Sequence, residues 1–535
     1  MKKNWLSSYP VGVPENISTL RHNSLGELIA EACRAFSEHT AFVQEANTLS
    51  YAQLDALSER LAAFFAVDLS LAVGERVALM MPNILAYPLA VSGVLRAGCV
   101  VVNVNPMYTP RELKHQLRDS GARAIIVAEP FVATVNEVLA ETSVDTVIVV
   151  PMAGMPQSGS ATYDHSGATV LNTALSTNSV MSARELRHSD TALLQYTGGT
   201  TGPSKGAELT HGNMLSNIEQ FGTWLGDTLK PGREVIITAL PIYHIFALMV
   251  NTLSFLRLGG KNVLITNPRD MPGLVATMKL EGCTAITGVN TFFNGLLNTP
   301  GFDALNFSTL HLSMGGGSAV QPAVARRWAE VTGKKLVEGY GLSETSPVLT
   351  VNRTDIPEFR AGIGLPLPST EISIRDDDGK EVKQGEAGEL CARGPQVMRG
   401  YWNKPEENAK AFTEDGFFRT GDMAMQDEDG YFHIVDRKKD MVLVSGFNVY
   451  PNEIEAVCAE HPGVLESACI GVPDEKTGEA VKVFVVKRDG ALTEQVLIDH
   501  CRKNLTAYKV PRQIQFLTEL PKSPVGKILR RELRG

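Results

Sequence analysis

The chain contains no CxxC pair; its seven cysteines (Cys33, Cys99, Cys283, Cys391, Cys458, Cys469 and Cys501) are scattered. That excludes a zinc ribbon and a dithiol redox centre, and an odd count suits reduced thiols in a large cytosolic enzyme. Basic charge is not in excess either. Asp and Glu outnumber Lys and Arg by 59 to 50, a net charge of −9, so nucleic acid is not an expected partner. A transmembrane helix needs about 20 mostly apolar residues. The most apolar stretch, 84–104, is broken by Pro88 and Arg96. Lys2 and Lys3 are followed by Asn4, Ser7 and Ser8, where a signal peptide requires an apolar core. A soluble, cytoplasmic protein is expected, with at most peripheral contact at the inner membrane face. Internal repeats and the GxxxxGK[ST] spacing of a Walker A loop are also missing.

What is present is an ordinary folded composition, 44% hydrophobic and 20% charged, spread over 535 residues. A single core stops growing at roughly 250–300 residues, so more than one domain is required. Helical spacing over 50–67 and 84–97 alternates with apolar runs at 76–81, 99–104, 124–127, 146–150, 234–240 and 262–266. That alternation predicts an α/β fold with parallel sheets covered by helices. Residues 152–190, rich in Ser, Gly, Thr and Ala and without lysine, interrupt it and read as a surface loop with a short helix. After about Arg360 the texture changes to short strands with Gly and Asp turns, a β-rich subdomain. Beyond Asp436 a separate α+β pattern follows, with helices over 452–460 and 493–504 and strands over 467–471, 481–487 and 513–517. The division expected is a large unit, 1–435, and a small one, 436–535.

Five stretches carry chemistry. YTGGTTGPSKG at 196–206 follows a strand-like run. Its glycines let backbone N–H groups approach phosphate oxygens, and Thr and Lys add donors and charge. EGYGLSETSPV at 338–348 offers Tyr340 to stack on a base, Ser343 to donate to a phosphate and Glu344 as a hard oxygen ligand for Mg2+. EDGFFRTGDMA at 414–424 ends near Asp422, a carboxylate able to accept from two vicinal hydroxyls. The cluster Asp436-Arg437-Lys438-Lys439-Asp440 lies between two apolar strands, and PKSPVGKILRREL at 521–533 places Lys527 in a loop opening a basic helix. Each stretch alone also has a plainer reading as a flexible or solvated turn, weakest for the Gly/Thr/Lys loop and strongest for the stretch with Lys527.

Their order and spacing together resemble the acyl-adenylate-forming superfamily over essentially the whole chain, and within it the bacterial long-chain fatty acyl-CoA synthetases. VVNVNPMYTPRELKHQL (101–117), ALPIYHIFAL (239–248) and VSGFNVYPNEIE (444–455) share that texture. The resemblance implies a large adenylate-forming domain, 1–435, and a mobile C-terminal domain, 436–535, carrying the catalytic lysine. The implied reaction converts a fatty acid and ATP to acyl-AMP, then transfers the acyl group to CoA, with Mg2+ as cofactor. Catalytic roles fall on Lys527, His244 and Glu344. ATP contacts fall on Thr197, Gly198, Gly199, Thr200, Thr201, Gly202, Lys205, Gly316, Glu338, Gly339, Tyr340, Gly341, Ser343, Asp422 and Arg437, with Thr197 and Glu344 as the metal ligands. Asp436 is the implied hinge. His244, Val289, Phe292, Gly315 and Gly317 line the acyl pocket, the glycines leaving room for a chain. Ser445 and Gly446 line the CoA entry. Where some long-chain relatives have a gating aromatic after the histidine, this chain has Leu248. Open alternatives are a ligase that stops at the adenylate or uses an acyl carrier protein, an aryl-CoA ligase, and a homodimeric state.

Overall fold

The computed structural model describes residues 3–153, 168–197, 203–445, 447–488 and 490–534. Strands Val100–Asn103 and Ala124–Ala128 are buried at every position. Both faces of such strands are covered by helices, so they read as unbroken apolar runs rather than alternating ones. Among the described residues they belong to an eight-stranded sheet. Its parallel body comprises Thr191–Thr197, Val100–Asn103, Arg76–Met80, Ala124–Ala128, Thr146–Val150 and Ala168–Val170. Lys205–Thr210 and Gly400–Tyr401 close one edge antiparallel.

Among the described residues, a second sheet has nine strands. Its parallel body runs Val337–Gly341, Leu312–Gly315, Ala285–Gly288, Val235–Thr238, Lys261–Leu264 and Thr40–Gln44. Antiparallel Val348–Val351 and Leu365–Pro366 extend one edge, and Asn47–Ser50 the other. The β-rich subdomain is an antiparallel sheet of Glu371–Arg375, Gly388–Arg393, Phe418–Gln426 and Phe432–Arg437. The C-terminal unit is built on Val464–Asp474 and Gly478–Lys487, with Gln513–Leu517 parallel to the latter. It has its own apolar core around Val483, Ile454 and Leu497. Among the described residues, no helix is long and apolar enough to cross a membrane.

In open parallel sheets, ligands gather at the carboxyl ends of strands, where loops are free to vary. Four strands of the second sheet end that way on marked sequences. Val235–Thr238 leads into PIYH, Ala285–Gly288 into the helix Asn290–Leu297, Leu312–Gly315 into the Gly316-Gly317 turn, and Val337–Gly341 into Ser343 and Glu344. Thr191–Thr197 of the first sheet leads into the Gly/Thr loop.

Most elements fall within one to three residues of their expected bounds. The helix expected over 50–67 runs Tyr51–Ala63 and continues as a π-helical turn, Phe64–Asp68. Ser50 caps it, with Gln53 completing a capping box. Two regions differ. Within 152–190 the short helix expected there is Leu171–Leu175, but its Leu171, Ala174 and Leu175 are buried, and Ala168–Val170 adds a strand to the sheet. A strand this short leaves no periodic signal. The basic helix expected after Lys527 is only a 3-10 turn, Arg530–Leu533. The tail spends its backbone groups on a hairpin instead: Leu529 N–H donates to the Pro521 carbonyl and Ser523 N–H to that of Lys527, both at 2.8 Å.

Helices Tyr51–Ala63 and Ala86–Arg96 pack so closely that a Cβ on Gly93 would lie 2.8 Å from the Leu61 side chain. Gly93→Ala should overpack this contact at a cost of roughly 1–3 kcal/mol, and Leu61→Ala alone should cost roughly 2–5 kcal/mol. The double variant should lose less than the sum, because each change relieves the other. Melting curves of the three variants check this; strict additivity would disprove the contact.

Candidate active site

The strand pair Phe418–Gln426 and Phe432–Arg437 sets Asp422 directly opposite Arg437. Arg437 Nε stands 3.6 Å from Asp422 Oδ1, and the Tyr340 hydroxyl donates to Asp422 Oδ2 at 2.7 Å. The Thr420 hydroxyl accepts from the Asp422 N–H at 3.1 Å and donates to the Leu390 carbonyl, fixing the turn that presents the carboxylate. Three motifs thus meet at one buried aspartate. Burial holds the Tyr340 phenol well above its ordinary range, and the nearby Asp422 charge pushes it further, so it stays a donor.

A second cluster joins the first and second motifs. Glu344 is buried, and its Oε1 accepts from the Tyr401 hydroxyl at 2.8 Å. Burial raises the Glu344 carboxyl above its ordinary range, and the Tyr401 bond opposes that rise. The Lys205 ammonium sits 4.9 Å from the centre of the Tyr401 ring and is ion-paired with Glu407. Thr197 is the register partner of Lys205. Ser343 begins the short turn Ser343–Thr345 beside Glu344. Gly198, Gly199, Thr200, Thr201 and Gly202 lie outside the described residues, as does Gly446. Tyr401 and Glu407 carried no motif signal, since Gly-Tyr-Trp-Asn is an unremarkable run.

Lys527 and His244 form the third group. Burial, reinforced by the Arg437 charge and opposed by Asp422, pushes the Lys527 ammonium down to about 7. Burial and the Lys527 charge push His244 down to about 4, so its imidazole is neutral near pH 7. Its Nδ1 accepts from the Phe246 N–H at 3.3 Å, which leaves the proton on Nε2. The loop carrying His244 is clamped from two sides. Buried Asn83 donates to the carbonyls of Thr238 and Leu240 at 3.0 and 2.9 Å and accepts from Ile242 N–H at 2.8 Å. Gln195 donates to the Tyr243 carbonyl at 3.0 Å and is itself held by Asn103, which accepts from Tyr87. These amides are invisible as motifs because their partners are distant main-chain groups.

Asp436 is fully buried rather than part of a solvated turn. Its carboxylate accepts from Arg437 N–H at 2.7 Å, Asn452 N–H at 2.9 Å and Arg530 Nη1 at 2.9 Å. Arg530 also donates to Asn452 Oδ1 and Glu455 Oε1. The tail bearing Lys527 is therefore tied to Asp436.

Other expected residues sit differently. Glu338 accepts from Val320 N–H at 3.1 Å and is pushed up to about 8 by burial. The space left by Gly315 is taken by Val320, whose Cγ2 would lie 2.3 Å from an added Cβ, so that glycine makes no room for a chain. Gly316 faces the Phe246 ring and the Gly339 carbonyl, and Gly317 faces Val289. Phe292 packs on Gly288 and on Phe293. Gly339 and Gly341 lie in the strand that presents Tyr340. Ser445 is exposed on a turn, its N–H donating to the Thr477 carbonyl at 2.8 Å.

Two helix-covered sheets whose strand ends carry Lys205 and Glu344, beside a buried carboxylate–tyrosine–arginine group, form the frame of an α/β enzyme. The chain belongs to the AMP-binding enzyme family: residues 29–402 match that family's model, and 453–527 match that of the AMP-binding enzyme C-terminal domain. The long-chain-fatty-acid–CoA ligase of Salmonella typhimurium is 52% identical, over 100% of this chain and 98% of that protein. ATP-bound MatB from Rhodopseudomonas palustris is 30% identical, with a TM-score of 0.84 over 96% of this chain and 98% of that one. An anthranilate CoA ligase in complex with anthranoyl-AMP shares the fold, with a TM-score of 0.88 at 24% identity over 100% of this chain and 98% of that one.

Tyr401→Phe deletes one donor to the Glu344 carboxylate. The ionised form loses support, so Glu344 should ionise at higher pH and the acid limb of ATP-dependent turnover should move up. The cost at the optimum should be about 1–3 kcal/mol of transition-state stabilisation. A pH–rate profile of the variant checks both; an unmoved limb would dissociate Glu344 from that limb.

Proposed function

We propose that this chain is a long-chain fatty-acid–CoA ligase that couples ATP cleavage to AMP and pyrophosphate with formation of an acyl-CoA. The observation that carries the chemistry is the convergence of Lys527, the Arg437–Asp422 pair and His244, from three regions far apart in sequence. A carboxylate is a poor acylating agent because its leaving group would be oxide. Attack of one carboxylate oxygen on the α-phosphorus of ATP expels pyrophosphate and leaves a mixed anhydride, acyl-AMP. The CoA thiol, losing its proton, then attacks the acyl carbon and expels AMP. Both first-step reactants are anions, so positive charge must stand between them before they meet.

The roles assigned here are those the family resemblance implies, and the positions described above support them. Asp422 accepts from the ribose hydroxyls, Tyr340 flanks the adenine, and Arg437 supports the ribose and Asp422. Lys205 leaves Glu407 for the β- and γ-phosphates, and the Gly/Thr loop wraps them. Ser343 donates to the α-phosphate. Lys527 bridges the acid's carboxylate and the α-phosphate, while neutral His244 donates from Nε2 beside the carboxylate. Val289 and Phe292 form the acyl wall. Glu344, buried with a hydroxyl donor, fits a hard cation, and Thr197 is the second ligand. When bound, Mg2+ screens phosphate charge. Asp436 is the hinge between the units 1–435 and 436–535, about which the small domain turns to bring Ser445 and Gly446 to the CoA entry. The full-length similarity to a fatty-acid–CoA ligase supports an aliphatic acid and CoA over an aryl acid or a carrier protein.

The deciding experiment is pyrophosphate release and thioester formation across acids of two to eighteen carbons, plus benzoate and ferulate. Specificity constants should rise with chain length, since each buried methylene contributes about 0.8 kcal/mol. Preference for the aromatic acids would overturn the fatty-acid assignment. A second test uses pH. The Lys527 ammonium is needed to bridge two anions, and it deprotonates with a midpoint of about 7 before substrates bind. The kcat/KM for adenylation should therefore fall above that pH, whereas kcat should fall only at higher pH, because bound anions favour the charged amine. Lys527→Arg should abolish the limb. A flat kcat/KM between pH 6 and 9 would refute the role.

A further inference from the structure

The wall of the acyl pocket is also where the small domain docks. Helix Asn290–Leu297 presents Phe292 and Phe293 to the core. The same helix offers polar side chains to the C-terminal unit. The Thr291 hydroxyl donates to the Gly526 carbonyl at 2.8 Å, and Asn294 Nδ2 donates to the Leu465 carbonyl at 3.1 Å. Just beyond the helix, Asn298 Oδ1 accepts from Arg488 Nη1 at 2.9 Å.

The first of these contacts falls one residue before Lys527. The loop that bears Lys527 is internally closed: Ser523 N–H donates to the Lys527 carbonyl, Gly526 N–H to the Ser523 carbonyl, and Lys527 N–H to Ser523 Oγ. Such a loop moves as a unit. Gly526 holds a left-handed φ of +81°, and an added Cβ there would stand 3.1 Å from Val289 Cγ2 and 3.2 Å from Thr291 Oγ1. The glycine thus serves both the turn and the close approach to the helix. A four-carbon lysine stem has many rotamers, so the ammonium is placed only as well as the main chain beneath it.

We propose that Thr291 is a positioning residue for acyl-adenylate formation, seating the Lys527 loop on the acyl-pocket helix through its bond to the Gly526 carbonyl. The proposal rests on the ligase reading above. In that reading the bond exists only while the small domain is docked for adenylation, because rotation about Asp436 withdraws Gly526 from the helix. Losing the bond weakens the docked arrangement and leaves thiol transfer untouched. It also means that the helix lining the acyl chain holds the catalytic loop, so a chain that fills the pocket and firms the helix also firms the dock.

The test compares the two half-reactions in Thr291→Val, which keeps shape and removes the donor. Pyrophosphate release should slow by about five- to tenfold, the scale of one lost hydrogen bond. Thioester formation from supplied acyl-AMP and CoA should be unchanged. Thr291→Ser should restore pyrophosphate release, and Gly526→Ala should reproduce the split from the other side of the contact. Equal loss of both half-reactions, or no loss in either, overturns the proposal. A wild-type enzyme that forms no acyl-AMP from any acid overturns the ligase reading and this inference with it. A normal wild type with an unaffected Thr291→Val overturns this inference alone.

Discussion

Desolvation of charge is the constraint on which the site depends. Glu344 and Glu338 are raised, and Lys527 and His244 lowered, with burial the largest cause in each case. Groups in water would screen one another and contribute little, whereas in a dry crevice the same charges act strongly on whatever enters. The cost is that each buried group must be held by partners: Tyr401 on Glu344, Val320 N–H on Glu338, and Tyr340 with Arg437 on Asp422. Donors and cations held in this way are oriented in advance, which is the condition for electrostatic catalysis without reorganisation.

The pieces come from three sheets. The eight-stranded sheet contributes Thr197 and Lys205, and the strands and following loops of the nine-stranded one contribute His244, Gly316, Tyr340 and Glu344. The antiparallel subdomain adds Asp422 and Arg437 from opposite strands. Buried amides register the pieces. Asn83 joins the loop after Met80 to the His244 loop, and Gln195 joins the strand before the Gly/Thr loop to the same segment. An amide that spans two main-chain segments fixes both more sharply than apolar contact, because leaving any of its groups unpaired in the core is costly.

The knot at Asp436 is of another kind. An isolated buried carboxylate would be strongly unfavourable, and here two N–H groups and a guanidinium compensate it. Arg530, which closes the knot, stands three residues after Lys527 and also reaches Glu455 and Asn452. The tail is therefore anchored at two points, to Asp436 within its own unit and to Thr291 on the large one. The loop is thus held by a charged network on one side and by the Thr291 hydroxyl on the other.

Much of this was legible in the sequence. Apolar runs bounded by turns gave the parallel strands, helical spacing gave the helices that begin after Ser50 and Thr493, and the loop motifs named Lys205, Glu344, Asp422 and Lys527. Such features are local: periodicity, capping and loop chemistry are properties of neighbouring residues. Tertiary structure alone decided the rest. Tyr401, Asn83, Gln195 and Thr291 are ordinary residues in ordinary runs, and their meaning comes from partners 57, 155, 48 and 235 positions away. It also decided that Gly315 makes room for Val320 and that the tail after Lys527 pairs with 521–523 instead of coiling. Composition and pattern determined which segments could build a nucleotide site. Which carboxylate each donor would find was settled by the packing of the sheets, since burial and long-range hydrogen bonding exist only once the chain has folded.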